Sequence, residues 1–273
     1  MNNFLEKTIG FIGAGQMASA LGAGFVRAGV VTSSYIYAYD VSAGALEKFS
    51  QNVGGNVCGT LEELVQKSDI VFLAVKPQQM EGVFESLENL EKASKLFVSI
   101  AAGITLWNLT KHLGWDARIV RVMPNTPCLI GLGASGFCSS ESVSETEIQT
   151  IRTLLETVGI TVEVSEGLMD AITGLSGSGP AFGYVMIEAM SDAGVHLGLS
   201  RATATKLAAQ TLKGAAEMVL QTGEHPAVLK DRVASPGGTT IAGLVALEEA
   251  GLRSALIDAI TAAVERADEL ANG

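Results

Sequence analysis

Charge is scarce in this chain. Only 17% of its 273 residues are Asp, Glu, Lys or Arg, against roughly 25% in an ordinary globular protein. So little charge implies surface that is covered in use, most simply by an interface between copies of the chain. Positive charge is scarcer still: 18 Lys and Arg against 29 Asp and Glu leave a net charge of −11. That excludes a broad basic face, and with it sequence-independent nucleic-acid binding. It does not exclude a local anion site made of backbone N–H groups. Cysteine is rare: Cys58, Cys128 and Cys138 form no CxxC pair. The odd count suits a reduced, cytoplasmic protein better than a disulfide scaffold. The three histidines, His112, His196 and His225, follow no strand end and join no metal-spaced cluster, so no metal is expected. A G-x-S-x-G nucleophile motif is absent too. The mean hydropathy of +0.34 comes from Ala, Gly and Val spread throughout. The longest apolar stretches, such as 96–104 with Ser99 inside, fall far short of the roughly 20 residues that span a bilayer. The start of the chain lacks a basic stretch followed by an apolar run. Neither a membrane nor a nucleic-acid partner is expected.

What is present divides in two. Up to about residue 165, short β-type runs alternate with helical stretches. The runs are Ile9–Ile12, Tyr35–Tyr39, Ile70–Val75, Leu96–Ile100, Ile119–Met123 and Thr161–Val164. Continuous apolar runs bounded by breakers suit strands buried on both faces of a parallel sheet. This alternation predicts an α/β domain over 1–165, a doubly wound sheet of the Rossmann type. After Ser165 the β signals vanish. Apolar residues recur at helical spacing over 201–221 and 252–271, with Ser200 placed to cap and Gly223 to stop the first of these helices. Residues 166–273 therefore read as an all-helical domain. Its helices carry Ala and Gly on more than one face, which suits close packing against a second copy. A monomeric bundle is the alternative.

One motif follows the first strand directly. After Ile12 comes Gly13-Ala14-Gly15-Gln16-Met17-Ala18, of the form G-x-G-x-x-A. The first glycine permits a tight turn, the second lets a pyrophosphate approach the backbone, and the small Ala18 lets helix pack on strand. The helix N-terminus then offers free N–H groups and its positive dipole end to phosphates. Asp40 ends the second strand, where a carboxylate accepts hydrogen bonds from both ribose hydroxyls of NAD. It repels the 2′-phosphate of NADP, and no Lys or Arg lies between Asp40 and Glu47 to offset this. NADH is therefore favoured over NADPH. An N-cap role is the alternative reading of Asp40. Two later strand ends, Ala74-Val75-Lys76-Pro77 and Ser99-Ile100-Ala101-Ala102-Gly103, are expected to line the same crevice. Lys76 there is either a phosphate or ribose contact or an ordinary surface lysine. The small residues at 101–103 let a cofactor ring lie close to the backbone.

A second Gly-rich turn, Ser235-Pro-Gly-Gly-Thr-Thr240, opens a helical run from Ile241. It offers converging N–H groups and three uncharged hydroxyls to a small anion, or else is simply a helix start with a flexible Gly pair. No strong general acid accompanies it. Reduction would then favour a substrate already protonated at the atom that gains the electron pair, such as a cyclic iminium carboxylate.

With these motifs on the page, the sequence resembles the pyrroline-5-carboxylate reductases along nearly its whole length. The markers are residues 11–18, 74–77 and 99–103, Arg121-Val-Met-Pro-Asn-Thr-Pro127, Gly174-Leu-Ser-Gly-Ser-Gly-Pro-Ala181, and 229–231 through Ser235–Thr240. The resemblance implies reduction of L-1-pyrroline-5-carboxylate to L-proline with NADPH or NADH, the last step of proline biosynthesis. It implies a helical domain that interlocks with a partner's, active sites shared between subunits, and dimers that in this family often build decamers. It implies that Thr240 hydrogen-bonds the substrate's ring nitrogen or carboxylate, while Ser235, Gly238 and Thr239 hold the carboxylate and Val233 lies beside it. Glu166 is implied near substrate and nicotinamide, with Asn125 and Pro127 on the nicotinamide loop. Ser176, Gly177 and Gly179 are implied in the long helix at the dimer core. Arg232 departs from the small polar residue of some members. Two other readings remain. A β-hydroxyacid-type dehydrogenase would need a lysine acid, and 176–193 contains none. A non-catalytic dinucleotide sensor would leave the second turn without a purpose.

Overall fold

The computed structural model describes residues 4–272. Eight strands form one sheet: β1 (Ile9–Ile12), β2 (Ile36–Tyr39), β3 (Asn56–Val57), β4 (Ile70–Leu73), β5 (Leu96–Ser99), β6 (Arg118–Met123), β7 (Gly133–Ser139) and β8 (Gly159–Glu163). Six helices alternate with them: α1 (Gln16–Arg27), α2 (Ala43–Val53), α3 (Leu61–Lys67), α4 (Met80–Leu87), α5 (Leu106–Leu113) and α6 (Glu145–Glu156). The order across the sheet is β3-β2-β1-β4-β5-β6-β7-β8. All pairings are parallel except β6 with β7. The chain thus winds outward from β1 in both directions, and the reversal between β1 and β4 opens a crevice at the carboxyl ends of the strands.

Both faces of the sheet are covered, which is why β1, β4 and β5 read as unbroken apolar runs. On one face, Phe11, Phe25, Phe49 and Phe72 pack together, with Phe11 and Phe72 stacked at 4.9 Å. On the other, Leu64, Val71, Leu73, Phe97 and Ile119 form a second cluster. Each fully buried large side chain contributes about 1.5–3 kcal/mol, so the strands that carry the crevice stand on a rigid base.

Local signals set the helix limits. Ser42 caps α2 by accepting from Ala45 N–H, and Gly54 ends it at φ +72°. Beyond the sheet, α7 (Met169–Ile172) runs into a π-helical turn, Thr173–Gly177, and then into α8 (Gly179–His196). The remaining helices are α9 (Arg201–Thr222), α10 (Pro226–Arg232), α11 (Thr239–Glu249) and α12 (Leu252–Asn272). Ser200 and Gly223 cap and stop α9 as the sequence indicates.

The chain forms two compact units. One runs through Ser178 and is rejoined by residues from Ala263 onward; the other is Gly179–Ala262. The division falls later than the change of sequence pattern at 165, because the segment after β8 packs back on the sheet. The helical unit has little interior: of its described residues only Ser191, Ala204 and Ala208 are buried. Tyr184, Val185, Leu197, Leu207, Leu220 and Ile257 are all exposed.

Candidate active site

The crevice is a cleft of about 560 Å³ in the first unit. Its wall is built from five successive strand ends: Gly13, Gly15, Gln16 and Met17 after β1, Asp40 after β2, Ala74 to Pro77 after β4, Ile100 to Ala102 after β5, and Met123 to Thr126 at the end of β6. Twelve residues singled out from sequence as cofactor contacts meet there.

The turn after β1 is held by backbone geometry. Gly13 has φ +98°, and a Cβ there would lie 2.8 Å from the carbonyl of Ala74. No other residue type fits that approach. Gly13 N–H donates to Tyr39 C=O (2.8 Å), and Ala74 N–H donates to Ile12 C=O (2.8 Å). Gly15 then caps α1 with no side-chain acceptor, and a Cβ added to it meets nothing within 4 Å. The first N–H groups of α1 thus face open space with the helix dipole behind them. This fits a diphosphate, and the adjoining Asp40 and small-residue walls fit the two ends of a dinucleotide.

Asp40 is also part of the scaffold. Its Oδ2 accepts from Ala14 N–H (2.8 Å) and its Oδ1 from Ser42 N–H (2.8 Å). The cap of α2 is Ser42, not Asp40. The carboxylate braces the turn after β1 while remaining on the cleft wall. Ile12 and Ala14 are buried behind that wall and do not line it. Gly103 is likewise off the wall: it is buried at φ +76° beside Leu270 of α12. Lys76 is exposed at the rim, where its backbone N–H is bound by Gln79 Oε1.

The loop after β6, expected beside the nicotinamide, carries more than the sequence indicates. Asn125 is buried; its Oδ1 accepts from Ala134 N–H (3.0 Å) and its Nδ2 donates to Ser176 C=O (3.0 Å). Gly177 lines the cleft with Met123, Pro124, Thr126 and Leu129. The expectation that Ser176 and Gly177 belong to the long helix is corrected. Both lie in the π-helical turn, where Ser178 N–H reaches back five residues to Thr173 C=O, and α8 begins at Gly179.

Glu166 does not line this cleft. Its Oε1 accepts from Arg121 Nη1 (2.8 Å) and Leu106 N–H (2.9 Å), and its Oε2 from the Cys138 thiol (2.7 Å). Burial, and then the Glu166 carboxylate, push the Cys138 thiol far above its ordinary range. The thiol stays protonated and donates. Arg121, in the middle of β6, was legible only as the first residue of a motif.

In the second unit, the turn before α11 has Gly237 at φ +66°. Gly238 is the N-cap of α11, again with no side-chain acceptor. Ser235 Oγ sits over Gly238, 2.3 Å from where a Cβ would be. Thr239 and Thr240 are the first helical residues and Val233 precedes the turn, exposed. Free backbone N–H groups and three hydroxyl-bearing residues therefore sit at one helix start, which suits a small carboxylate.

Comparison with known proteins accounts for both halves. Residues 166–270 match the family model described as pyrroline-5-carboxylate reductase dimerisation. Residues 8–103 match the one described as NADP oxidoreductase coenzyme F420-dependent. A pyrroline-5-carboxylate reductase from Methanosarcina acetivorans is 46% identical over 97% of this chain and 98% of its own. The enzyme of that name from Escherichia coli is 40% identical, covering 97% and 99%. Among solved structures, the Coxiella burnetii pyrroline-5-carboxylate reductase superposes with a TM-score of 0.91 at 37% identity, covering 97% and 99%. The Plasmodium falciparum pyrroline carboxylate reductase, solved with NADP bound, gives 0.89 at 36% identity over 98% and 99%.

Proposed function

The chain belongs to the pyrroline-5-carboxylate reductase family, and from that premise we propose that it reduces L-1-pyrroline-5-carboxylate to L-proline with a nicotinamide dinucleotide. The observation that carries the reading is the pair of uncapped helix starts, α1 behind a cleft of dinucleotide size and α11 behind a hydroxyl-rich turn. Gly13 to Met17 hold the diphosphate, with Ile12 and Ala14 shaping the turn from behind. Asp40 takes the adenosine ribose, Ala74 to Pro77 line the middle of the cleft, and Ala101, Ala102 and Asn125 flank the nicotinamide, with Gly103 supporting that loop. When bound, the reduced nicotinamide supplies the hydride.

The chain's own residues do the rest. Backbone N–H groups of Gly238 and Thr239 and the hydroxyl of Ser235 bind the substrate carboxylate beside Val233. The Thr240 hydroxyl orients the ring nitrogen, which loses its positive charge as the carbon is reduced. An acid at that nitrogen is unnecessary, because an iminium already carries the proton. Glu166, held by Arg121 and by Leu106 N–H, lies near substrate and nicotinamide as the family resemblance implies.

Two finer points belong to the same proposal. NADH is preferred, because Asp40 on the cleft wall opposes a 2′-phosphate. The working form is a homodimer with the helical domain, 166–273, docked on its counterpart and active sites shared across the subunits, on which a decamer can be built. The family match over 166–270 supports oligomerisation, as does the near absence of buried residues in the helical unit. A cytoplasmic site of action suits three free cysteines. Among the described residues no helix is long and apolar enough to cross a membrane.

The test is oxidation of NADH and NADPH by the purified chain with and without pyrroline-5-carboxylate. Imine-dependent oxidation with proline as product is expected, with the higher kcat/KM for NADH. Cofactor binding without turnover would instead favour a dinucleotide sensor.

A further inference from the structure

We propose that Arg121 is a positioning residue for the nicotinamide end of the cleft, acting through the π-helical turn; the inference rests on the reading of that cleft as a dinucleotide site. Arg121 is 3% exposed. A cation buried in a sheet is costly unless paired, and its two partners lie on one short segment. Nη1 meets Glu166 Oε1 at 2.8 Å and Nη2 meets Asp170 Oδ1 at 3.5 Å. Residues four apart share a helical face. One planar guanidinium therefore fixes both the place and the rotation of the segment that becomes α7.

That segment continues without interruption into the π-helical turn. Such turns occur often at functional sites because the extra residue shifts the face that the following backbone presents. Here the shift has two visible results. Ser176 C=O accepts from the buried Asn125 amide. Gly177 comes so close to Met123 that a Cβ would stand 2.6 Å from Met123 Cε. Met123, Asn125 and Gly177 are consecutive parts of one cleft wall. They lie at the end of β6, three strands across from β1 and four from the Asp40 strand. The clamp thus bears on the nicotinamide end and leaves the phosphate turn untouched. A lysine at 121 would keep the charge but offers one point where the fork offers two.

Arg121→Lys and Asp170→Asn in the full chain test this. Three readouts separate the ends of the cleft: ADP affinity by calorimetry, the fluorescence change of NADH on binding, and kcat against KM for imine reduction. For Arg121→Lys, ADP affinity is expected within about twofold of the parent. The NADH fluorescence change is expected to shrink and kcat to fall about 10–100-fold, the scale of a misplaced reacting group. Asp170→Asn gives a smaller loss in the same direction. The proposal is overturned if kcat and NADH fluorescence stay within twofold of the parent in both variants. It is equally overturned if ADP affinity falls in step with kcat, the mark of general damage to the fold. If the parent chain binds NADH with a fluorescence change but does not reduce the imine, the functional reading fails. The fluorescence comparison then still decides the role of Arg121.

Discussion

In the proposed function, Thr240 and Asp40 are the two side chains on which the chemistry turns most directly. Thr240 is the second residue of α11, and the proposal gives its hydroxyl a bond to the substrate ring that adds no charge. Thr240→Ala is expected to lower kcat by about 10–1000-fold with little change in NADH affinity, as for loss of one preorganised donor. An unaltered rate would remove Thr240 from the mechanism. Asp40 braces the turn after β1 and, in the proposal, selects the cofactor. Asp40→Asn keeps an oxygen that can accept from Ala14 N–H, now a 2.8 Å bond to Oδ2, gives up the acceptor for Ser42 N–H, and removes the charge that the proposal sets against a 2′-phosphate. The ratio of kcat/KM for NADPH over NADH is expected to rise roughly tenfold, about 1.4 kcal/mol; steady-state kinetics with both cofactors measures it. Asp40 was legible because strand-end carboxylates have a fixed place in such sheets. Its bond to Ala14 was not, since that depends on how the turn after β1 lies against the end of β2. Arg121 was legible as the first residue of a motif but its role was not: its partners Glu166 and Asp170 come from a distant stretch and meet it only after folding.

Elements differ in how openly the chain declares them. The β1–turn–α1 unit is a short-range structure, and its glycines state their reason in the sequence. Gly13→Ala is expected to abolish measurable cofactor binding and lower the melting temperature, because the new methyl meets the Ala74 backbone at φ +98°. Calorimetry with ADP and a thermal melt check both. The strand β7 went unread because Gly133-Ala-Ser-Gly-Phe-Cys-Ser139 has little β-type patterning. Its place is decided by pairing with β6 on one side and β8 on the other. The π-helical turn is hidden for a similar reason. The family resemblance sets Ser176, Gly177 and Gly179 in one long helix, and the wider turn that holds the first two is fixed by bonds such as that from Asn125 to Ser176. Gly177→Ala displaces Met123 without touching the Arg121 ion pairs. It is expected to lower kcat severalfold with ADP affinity unchanged, by the same kinetics and calorimetry.

At the scale of the whole molecule, the first unit has two well-packed faces and the helical unit has almost no buried side chains. That contrast was foreshadowed by the low charge and by Ala and Gly on several helix faces. The partner surface itself cannot be read from one chain's residues, because apolar side chains such as Tyr184 and Val185 of α8, Leu207 and Leu220 of α9, and Val245 and Leu247 of α11 stay exposed within the unit. If the helical unit folds against a second copy, the urea midpoint rises with protein concentration, and sedimentation at micromolar concentration gives a dimer or larger. A concentration-independent midpoint with a sedimenting monomer opposes it. The two uncapped helix starts remain the centre of the account, and a crystal structure with proline and a dinucleotide bound tests them together. The account expects the diphosphate on the N-terminus of α1 and the proline carboxylate on the Ser235–Thr240 turn; a proline ring seated elsewhere would contradict it.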